Sequence, residues 1–174
     1  MRDNIRHRRD IETAYLQAIE QAKVEIIIAN AYFFPGLDFR HALIKAAGRG
    51  VRVVLLLQGR VEYLLVDYAA HALYEQFLGA GIEIYEYHSG FMHSKVAVID
   101  RHWATVGSSN IDPFSLLLAR ESNIVVENAS FASRLRTDIQ KSIDTGASLV
   151  SADDWQRVSM VRHFLSWVDR KSVV

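Results

Sequence analysis

The sequence has no cysteine, only two prolines and no excess of charge of either sign. The missing cysteine excludes disulfide bonds, thiol catalysis and cysteine-ligated zinc together. No apolar run approaches the roughly 18–20 residues that a membrane-spanning helix needs. Residues 1–10 are rich in charge and no apolar segment follows them, so we expect no signal peptide. What remains is a chain of 174 residues, 50% of them hydrophobic, with the composition of one ordinary globular domain.

The charge balance bears on the kind of partner that the protein binds. Its 20 basic residues offset its 20 acidic ones, so the formal net charge is zero. A neutral protein has no whole-surface electric field to attract a polyanion, although a local basic patch can still bind one. The composition therefore argues against nucleic acid as the partner.

The hydrophobic pattern of the first half alternates between helix and strand. Apolar residues either recur at helical spacing or run together as in buried strands. Helices are predicted at 9–22, 38–48 and 64–78, and strands at 24–29, 51–58 and 82–87. This alternation is typical of a largely parallel sheet that is covered by helices on both faces.

The pattern changes after Gly90. Two short apolar runs, Lys95–Ile99 and His102–Val106, are joined by a hairpin-like turn and should add antiparallel strands. A further strand is predicted at 122–127 and a further helix at 130–143. The predicted fold is thus α/β, with a mixed, largely parallel sheet flanked by helices on both faces.

The polar segment 145–154 divides the chain into two parts. We predict one domain over residues 1–150 and an amphipathic helix within residues 151–174, at about 153–170. That helix carries apolar side chains at helical spacing with basic residues around them, as helices that lie in a membrane surface do. Docking on the domain or on a partner is the alternative, because aspartates reduce its positive charge.

Residues 93–110 hold most of the side chains that can carry chemistry. Successive side chains of a strand alternate between its faces, so His93 and Lys95 point the same way and can contact one ligand. Asp100 has the opposite parity and lies at the turn, where we expect it to accept hydrogen bonds from backbone N–H groups. A histidine beside a lysine can act as nucleophile or proton donor toward an anionic substrate.

The segment that follows the second of these strands adds neutral donors. Gly107 ends the strand, where the lack of a Cβ lets the backbone approach a ligand closely. Ser108 and Asn110 follow on the same rim. A lysine charge together with several short donors suits a phosphate group. No carboxylate cluster is near enough in sequence to hold magnesium or zinc, so we expect a site without a metal or cofactor.

The order H-S-K at 93–95, D at 100 and G-S-S-N at 107–110 resembles the H-x-K-x4-D-x6-G-S-x-N motif of the phospholipase D superfamily. The resemblance implies a phospholipase D-like fold and reaction through a phosphohistidine. It makes His93 the nucleophile or its acid partner, and Lys95 and Asn110 phosphate ligands. Ser108 becomes a supporting donor. Glu121 matches the acid that orients the histidine in this family; a solvent-exposed glutamate at a strand end is the alternative.

Three further segments resemble the bacterial cardiolipin synthases of the shorter type, within a likeness over about residues 3–140. They are Ile28–Gly36, Ala46–Val53 and His102–Pro113. The resemblance implies phosphatidyl transfer from a phosphatidylglycerol-type lipid, with peripheral binding to the cytoplasmic face of a bacterial inner membrane. Two apolar segments, Tyr32–Pro35 and Phe114–Leu118, could then face acyl chains; packing in the core is the alternative.

The superfamily builds its active site from two such motifs, and this chain has one. The second motif then comes from a missing half of a longer protein, or from a second copy related by a twofold axis. Two other functions stay open. One is a homodimeric single-motif nuclease or phosphodiesterase of the superfamily, and the other is an inactive fragment or binding domain.

Overall fold

The computed structural model describes residues 9–59 and 73–151, and over these residues it forms one mixed sheet with helices on both faces. The helices are α1 (Asp10–Gln21), α2 (Leu37–Gly48), α3 (residues 73–79), α4 (Pro113–Leu117) and α5 (Ala129–Gly146). The strands are β1 (Glu25–Asn30), β2 (Arg52–Gln58), β3 (Glu83–Tyr87), β4 (Lys95–Ile99), β5 (Trp103–Gly107), β6 (Asn123–Glu127) and β7 (Ala147–Leu149).

The strands follow the order β6-β5-β4-β1-β2-β3-β7 across the sheet. Only β1, β2 and β3 pair in parallel, and the other neighbours are antiparallel. The mixed sheet flanked by helices is confirmed. Its parallel part is confined to the strands that helical crossovers connect, because β4, β5 and β6 follow one another in antiparallel order.

Each face of the sheet carries its own core. Ile26 and Ile28 of β1 face α1 and α2, where they pack in one cluster with Tyr15 and Phe39. The alternate residues of β1 face α5 and belong to a second cluster with Ile139. Every residue of β1 is buried. This two-sided burial explains why the middle of β1, Ile26–Ala29, is continuously apolar rather than alternating.

The last described segment differs from the prediction. The region 145–154 is predicted to be a polar connection, but α5 extends to Gly146 and β7 then pairs with β3. The three residues of β7 are too few for a readable alternation of polar and apolar side chains. The predicted C-terminal helix at about 153–170, and residues 64–72 of the predicted third helix, lie outside the described residues, so the domain boundary near 150 stays a prediction.

The antiparallel pairing gathers four strand termini at one end of the sheet, which we call the site end. Asn30 at the end of β1 lies opposite Lys95 at the start of β4. Gly107 at the end of β5 lies opposite Asn123 at the start of β6. The turn that joins β4 to β5 therefore lies at the far end, some 17 Å away at about 3.3 Å per residue over a five-residue strand.

Candidate active site

Lys95 begins β4 and is almost wholly buried, with 6% of its surface exposed. Its Nζ donates a hydrogen bond to the backbone oxygen of His93 at 3.2 Å. Within the described ranges no carboxylate forms an ion pair with it at 4 Å or less. Burial lowers the pKa of Lys95, and the more distant charge of Glu121 opposes that effect. A buried cation without a counter-ion favours the approach of an anion.

His93 lies two residues before β4, in a loop that leaves its side chain exposed. The ring of Phe91 stacks on the imidazole with centroids 5.8 Å apart and an interplanar angle of 18°. The imidazole is thus accessible at the site end while the neighbouring Lys95 is buried. The structure brings the two predicted residues to one place, with the lysine below the surface and the histidine on it.

Gln58 fixes the loop that carries His93, and sequence reasoning missed it. It is buried at the end of β2, and its Oε1 accepts a hydrogen bond from the N–H of Met92 at 2.6 Å. Its Nε2 donates to the carbonyl of Gly90 at 3.5 Å. The available signal was a polar residue that closes an apolar strand, at the carboxyl end where open α/β sheets place their sites.

Gly107 makes room for the neighbouring strand rather than for a ligand. A Cβ at this position would lie 2.2 Å from Oδ1 of Asn123 and 2.6 Å from the carbonyl oxygen of Ser122. Oδ1 of Asn123 also accepts the N–H of Ser109 at 3.3 Å. The space that the sequence analysis assigns to a ligand is therefore filled by β6, which uses it to hold the loop after β5.

Ser108 is tied to Glu121 and to the backbone. Its hydroxyl donates to Oε2 of Glu121 and accepts the N–H of Ser122 at 3.1 Å. A hydroxyl has one proton, so in this arrangement Ser108 has none left for a phosphoryl oxygen. The contact expected between Glu121 and the ring of His93 is not formed: in the part of the chain that the structure describes, no hydrogen bond reaches that ring.

Asn110 lies at the site end next to a second asparagine that the sequence analysis did not name. Asn30 is fully buried, and its Oδ1 accepts the N–H of Ile111 at 3.4 Å. Its Nδ2 and the Oδ1 of Asn110 are both buried, and neither atom has a hydrogen-bond partner among residues 9–59 and 73–151. The motif asparagine is thus held through its following residue by β1.

Asp100 lies at the far end of the sheet and takes no part in the site. Its carboxylate accepts the N–H groups of Lys23 and Val24 at 2.8 Å each and that of Glu25 at 3.0 Å. The expectation that it accepts backbone N–H groups agrees with these bonds, but the donors belong to the entry into β1 and not to the turn. Asp100 and Arg101 have positive φ angles of 50° and 54°, as the two central residues of a type I′ turn have.

The two apolar segments were predicted either to face acyl chains or to pack in the core, and the structure shows side chains of both kinds, exposed and packed. Leu116 is part of the core and Phe33 packs against it. Tyr32, Phe34 and Phe114 are exposed at the site end. A groove of about 310 Å³ beside them is lined by Arg9, Pro113, Phe114, Leu117 and Leu118. Exposed apolar patches of this kind commonly mark interaction surfaces.

The described residues contain neither a candidate membrane span nor a candidate metal-binding cluster. No helix there is long and apolar enough to cross a membrane. Across the same residues, no group of three or more histidine, cysteine, aspartate or glutamate side chains could hold a metal ion.

Residues 15–143 match the family model described as "Cardiolipin synthase, PLD-like domain". The chain belongs to this family. Cardiolipin synthase B of Escherichia coli K12 is 49% identical over 138 residues, which are 79% of this chain and 33% of the relative. Minor cardiolipin synthase ClsB of Bacillus subtilis is 31% identical over 160 residues, 92% of this chain and 40% of the relative. The chain thus spans between a third and two fifths of these relatives.

Solved structures agree with the family. Nuc of Salmonella typhimurium, a phospholipase D family member, superposes with a TM-score of 0.69 at 26% identity, over 78% of this chain and 88% of that one. Phosphatidylserine synthase of Haemophilus influenzae gives a TM-score of 0.66 at 12% identity, over 94% and 44% of the two chains, and so supports the fold alone. The predicted membership of the phospholipase D superfamily is confirmed.

Proposed function

We propose that this chain supplies one half of the active site of a cardiolipin synthase-like phosphatidyltransferase. The observation that carries the proposal is the pairing of an exposed His93 with a buried, uncompensated Lys95 at the same end of the sheet as Asn110. This arrangement presents a nucleophile above a fixed positive charge, which suits attack on a phosphodiester. The identity of 49% to cardiolipin synthase B supports a phospholipid as the substrate.

In the proposed reaction, a ring nitrogen of His93 attacks phosphorus. The new N–P bond forms as the P–O bond to the leaving glycerol breaks, and a hydroxyl of the acceptor lipid then displaces the histidine. Lys95 and Asn110 hold the phosphoryl oxygens through both steps. His93 can equally serve as the acid partner of a second histidine, which protonates the leaving oxygen.

Glu121 and Ser108 support the histidine in this proposal. Ser108 occupies only Oε2 of Glu121, so Oε1 is the atom that would receive a ring N–H of His93. The carboxylate would then fix the imidazole tautomer and stabilise its protonated form. Ser108 has to release Glu121 before its own hydroxyl can donate to phosphate.

The second motif comes from another polypeptide region. Because the chain spans 33% of cardiolipin synthase B, the remainder of a longer protein can supply it. A second copy of this chain is the other source. Exposed Tyr32, Phe34 and Phe114 around the site support a lipid substrate and peripheral binding to a membrane surface, which we propose to be the cytoplasmic face of a bacterial inner membrane.

Transfer from radiolabelled phosphatidylglycerol in vesicles tests the proposal in the complete protein. The wild type should form cardiolipin and carry an acid-labile, base-stable phosphoryl label on a histidine. We expect His93→Ala to lose cardiolipin formation by at least about a thousandfold, as removal of a nucleophile does. His102→Ala is the matched control, because this exposed histidine lies in the turn at the far end. Cardiolipin formation at the wild-type rate by His93→Ala refutes the assignment.

A homodimeric single-motif phosphodiesterase is the second candidate function. The match to Nuc favours this candidate, because it covers 88% of the Nuc chain, so that Nuc is about as long as the matched part of this chain. This candidate predicts a stable dimer that cleaves nucleic acid in EDTA, whereas the balanced charge of the chain argues against that substrate. Gel filtration and a plasmid nicking assay separate the two, because a monomer that leaves DNA intact excludes this candidate.

A further inference from the structure

The site end holds two buried side-chain atoms of complementary type that have no hydrogen-bond partner among the described residues. One is a donor, Nδ2 of Asn30, and the other is an acceptor, Oδ1 of Asn110. Buried polar groups are nearly always hydrogen-bonded, so each orphan requires an explanation. Both belong to amides that lie within the site, and neither has a partner in the described stretches of the chain.

The orientation of the Asn30 amide is fixed by its other contact. The N–H of Ile111 can only donate, and it lies 3.4 Å from Oδ1 of Asn30. A rotated amide would set Nδ2 against that N–H, so the oxygen must face Ile111 and the nitrogen must point elsewhere. The bond also ties β1 to the residue that immediately follows Asn110.

The position of Asn30 places it beside the lysine as well. Asn30 lies opposite Lys95 in the antiparallel register of β1 and β4, where side chains share a face with their Cβ atoms about 4.5–5.5 Å apart. Asn30 is 0% exposed, so a substrate oxygen cannot reach Nδ2 from solvent. Its free donor is therefore suited to contact protein and not ligand.

We propose that Asn30 is a positioning residue whose Nδ2 donates to Oδ1 of Asn110 when the site is occupied. That bond would occupy the oxygen of the Asn110 amide and turn its NH2 group toward the phosphoryl oxygen, on the side where Lys95 supplies its charge. The inference deepens the proposed function, since it takes Asn110 as a phosphate ligand.

A double-mutant cycle in the complete protein tests the coupling. Asn30→Thr keeps a neutral polar side chain that is one bond shorter and has no NH2 group, so it removes the donor Nδ2 without adding charge to the site. We expect it to lower kcat for phosphatidyl transfer about tenfold with little change in KM. In an Asn110→Ala background the same substitution should change kcat less than twofold. An equal loss in both backgrounds, or no loss in either, overturns the proposal.

A binding measurement keeps the test independent of catalysis. In 15N-labelled chain, the side-chain amide signals of Asn110 are identified by their loss in Asn110→Ala. Inorganic phosphate should shift these signals in the wild type and leave them unmoved in Asn30→Thr. Equal shifts in both proteins refute the role of Asn30, even if the enzyme transfers no lipid.

Thermal unfolding and a chemical control complete the design. Asn128→Asp makes a comparable change at the far end, where Oδ1 of Asn128 accepts the N–H of Phe131 at 3.0 Å, and it should leave the phosphate shift intact. If Asn30→Thr unfolds below the assay temperature, Asn30→Leu replaces it, since it keeps the volume of the side chain, removes the donor and puts no charge opposite Lys95. Loss of the phosphate shift in Asn128→Asp would overturn the specific assignment.

Discussion

A single methyl group at position 107 tests how the two halves of the site are held together. Gly107 does not adopt a left-handed backbone, so alanine brings no conformational penalty there. The penalty is steric. The new Cβ would lie 2.2 Å from Oδ1 of Asn123 and 2.6 Å from the carbonyl oxygen of Ser122. The carbonyl cannot move freely, because it accepts the N–H of Ser108 at 3.1 Å.

The size of the effect follows from what must move. Overpacking a well-filled site costs about 1–3 kcal/mol. Displacing Asn123 also breaks its bonds to Ser109 at 3.3 Å and to Thr105 at 3.5 Å. At roughly 0.5–1.5 kcal/mol for each of the two hydrogen bonds, the free energy of unfolding should fall by about 2–6 kcal/mol. For a chain of this size that lowers the Tm by about 4–24 °C.

Calorimetry and transfer kinetics measure the two consequences in the same variant. Gly107→Ala should lower the Tm as estimated and reduce kcat at least about tenfold, because Ser108 and Asn110 follow directly. Gly48→Ala is the matched control: it adds the same methyl group at the end of α2, where nothing lies within 4 Å, and should leave the Tm unchanged or raise it. A Gly107→Ala protein with the Tm and kcat of the wild type would refute the reasoning.

Four other perturbations have distinct expected outcomes. Gln58→Met should leave the buried N–H of Met92 without an acceptor, lowering stability by roughly 1–3 kcal/mol and reducing kcat; unchanged unfolding and kinetics would contradict this. Asp100→Ala should cost a similar amount in the free energy of unfolding and leave kcat intact, so a kinetic defect in a folded variant would place Asp100 in the site. Glu121→Gln should lower the pKa of Lys95 further, because burial already lowers it and Glu121 opposes that effect. The lysine holds phosphate only when it is protonated, so the fall in activity on the basic side of the pH profile should begin at a lower pH in Glu121→Gln than in the wild type. A basic side that does not move would count against the role of Lys95. Transfer activity should survive excess EDTA, and a loss that magnesium or zinc restores would show that the reaction needs a metal.

The strands that carry the motif could be predicted because their signals are local. Lys95–Ile99 is a short, mostly apolar run with three β-branched residues, and the structure forms β4 over the same residues. The signals for the turn at Asp100 and for the proximity of His93 and Lys95 are equally local in the sequence. The short helix α4 had a readable signal that was overlooked, because Asp112 before Pro113 marks a helix start and caps Ser115 N at 2.8 Å.

The residues that were missed act through pairings between distant parts of the chain. Gln58 and Met92 are 34 positions apart, and Asn30 and Ile111 are 81 apart. Such contacts depend on the register of strands and on where a loop crosses the end of the sheet. A polar residue that ends an apolar strand could be noticed in the sequence, but its partner could not be. The same holds for Gly107: the sequence predicts a close approach of a ligand there, but Asn123 of β6 fills that space.

The two ends of the sheet differ in whether their buried polar groups have partners. At the far end, Glu25 is 3% exposed and bonds to Arg101 at 3.0 Å and to Arg136 at 2.5 Å. Burial acts to raise the pKa of Glu25, but the hydrogen bonds from Arg136 and Arg101 outweigh it and hold the pKa below its ordinary value. Asp100, at the same end, accepts three backbone N–H groups.

At the site end the corresponding groups are left without partners. Lys95 has no carboxylate within 4 Å among the residues described, and Asn30 and Asn110 hold two of the four buried side-chain atoms that lack a hydrogen bond there. An unpaired buried charge and unpaired buried amides each reduce stability. At the far end the buried charge of Glu25 is paired with two arginines, whereas the buried charge of Lys95 has no counter-ion among the described residues of the site end. The uncompensated charge of Lys95 is therefore best explained by an anionic ligand, and a phosphodiester, whose oxygens also accept hydrogen bonds from an asparagine NH2 group, has the required chemistry.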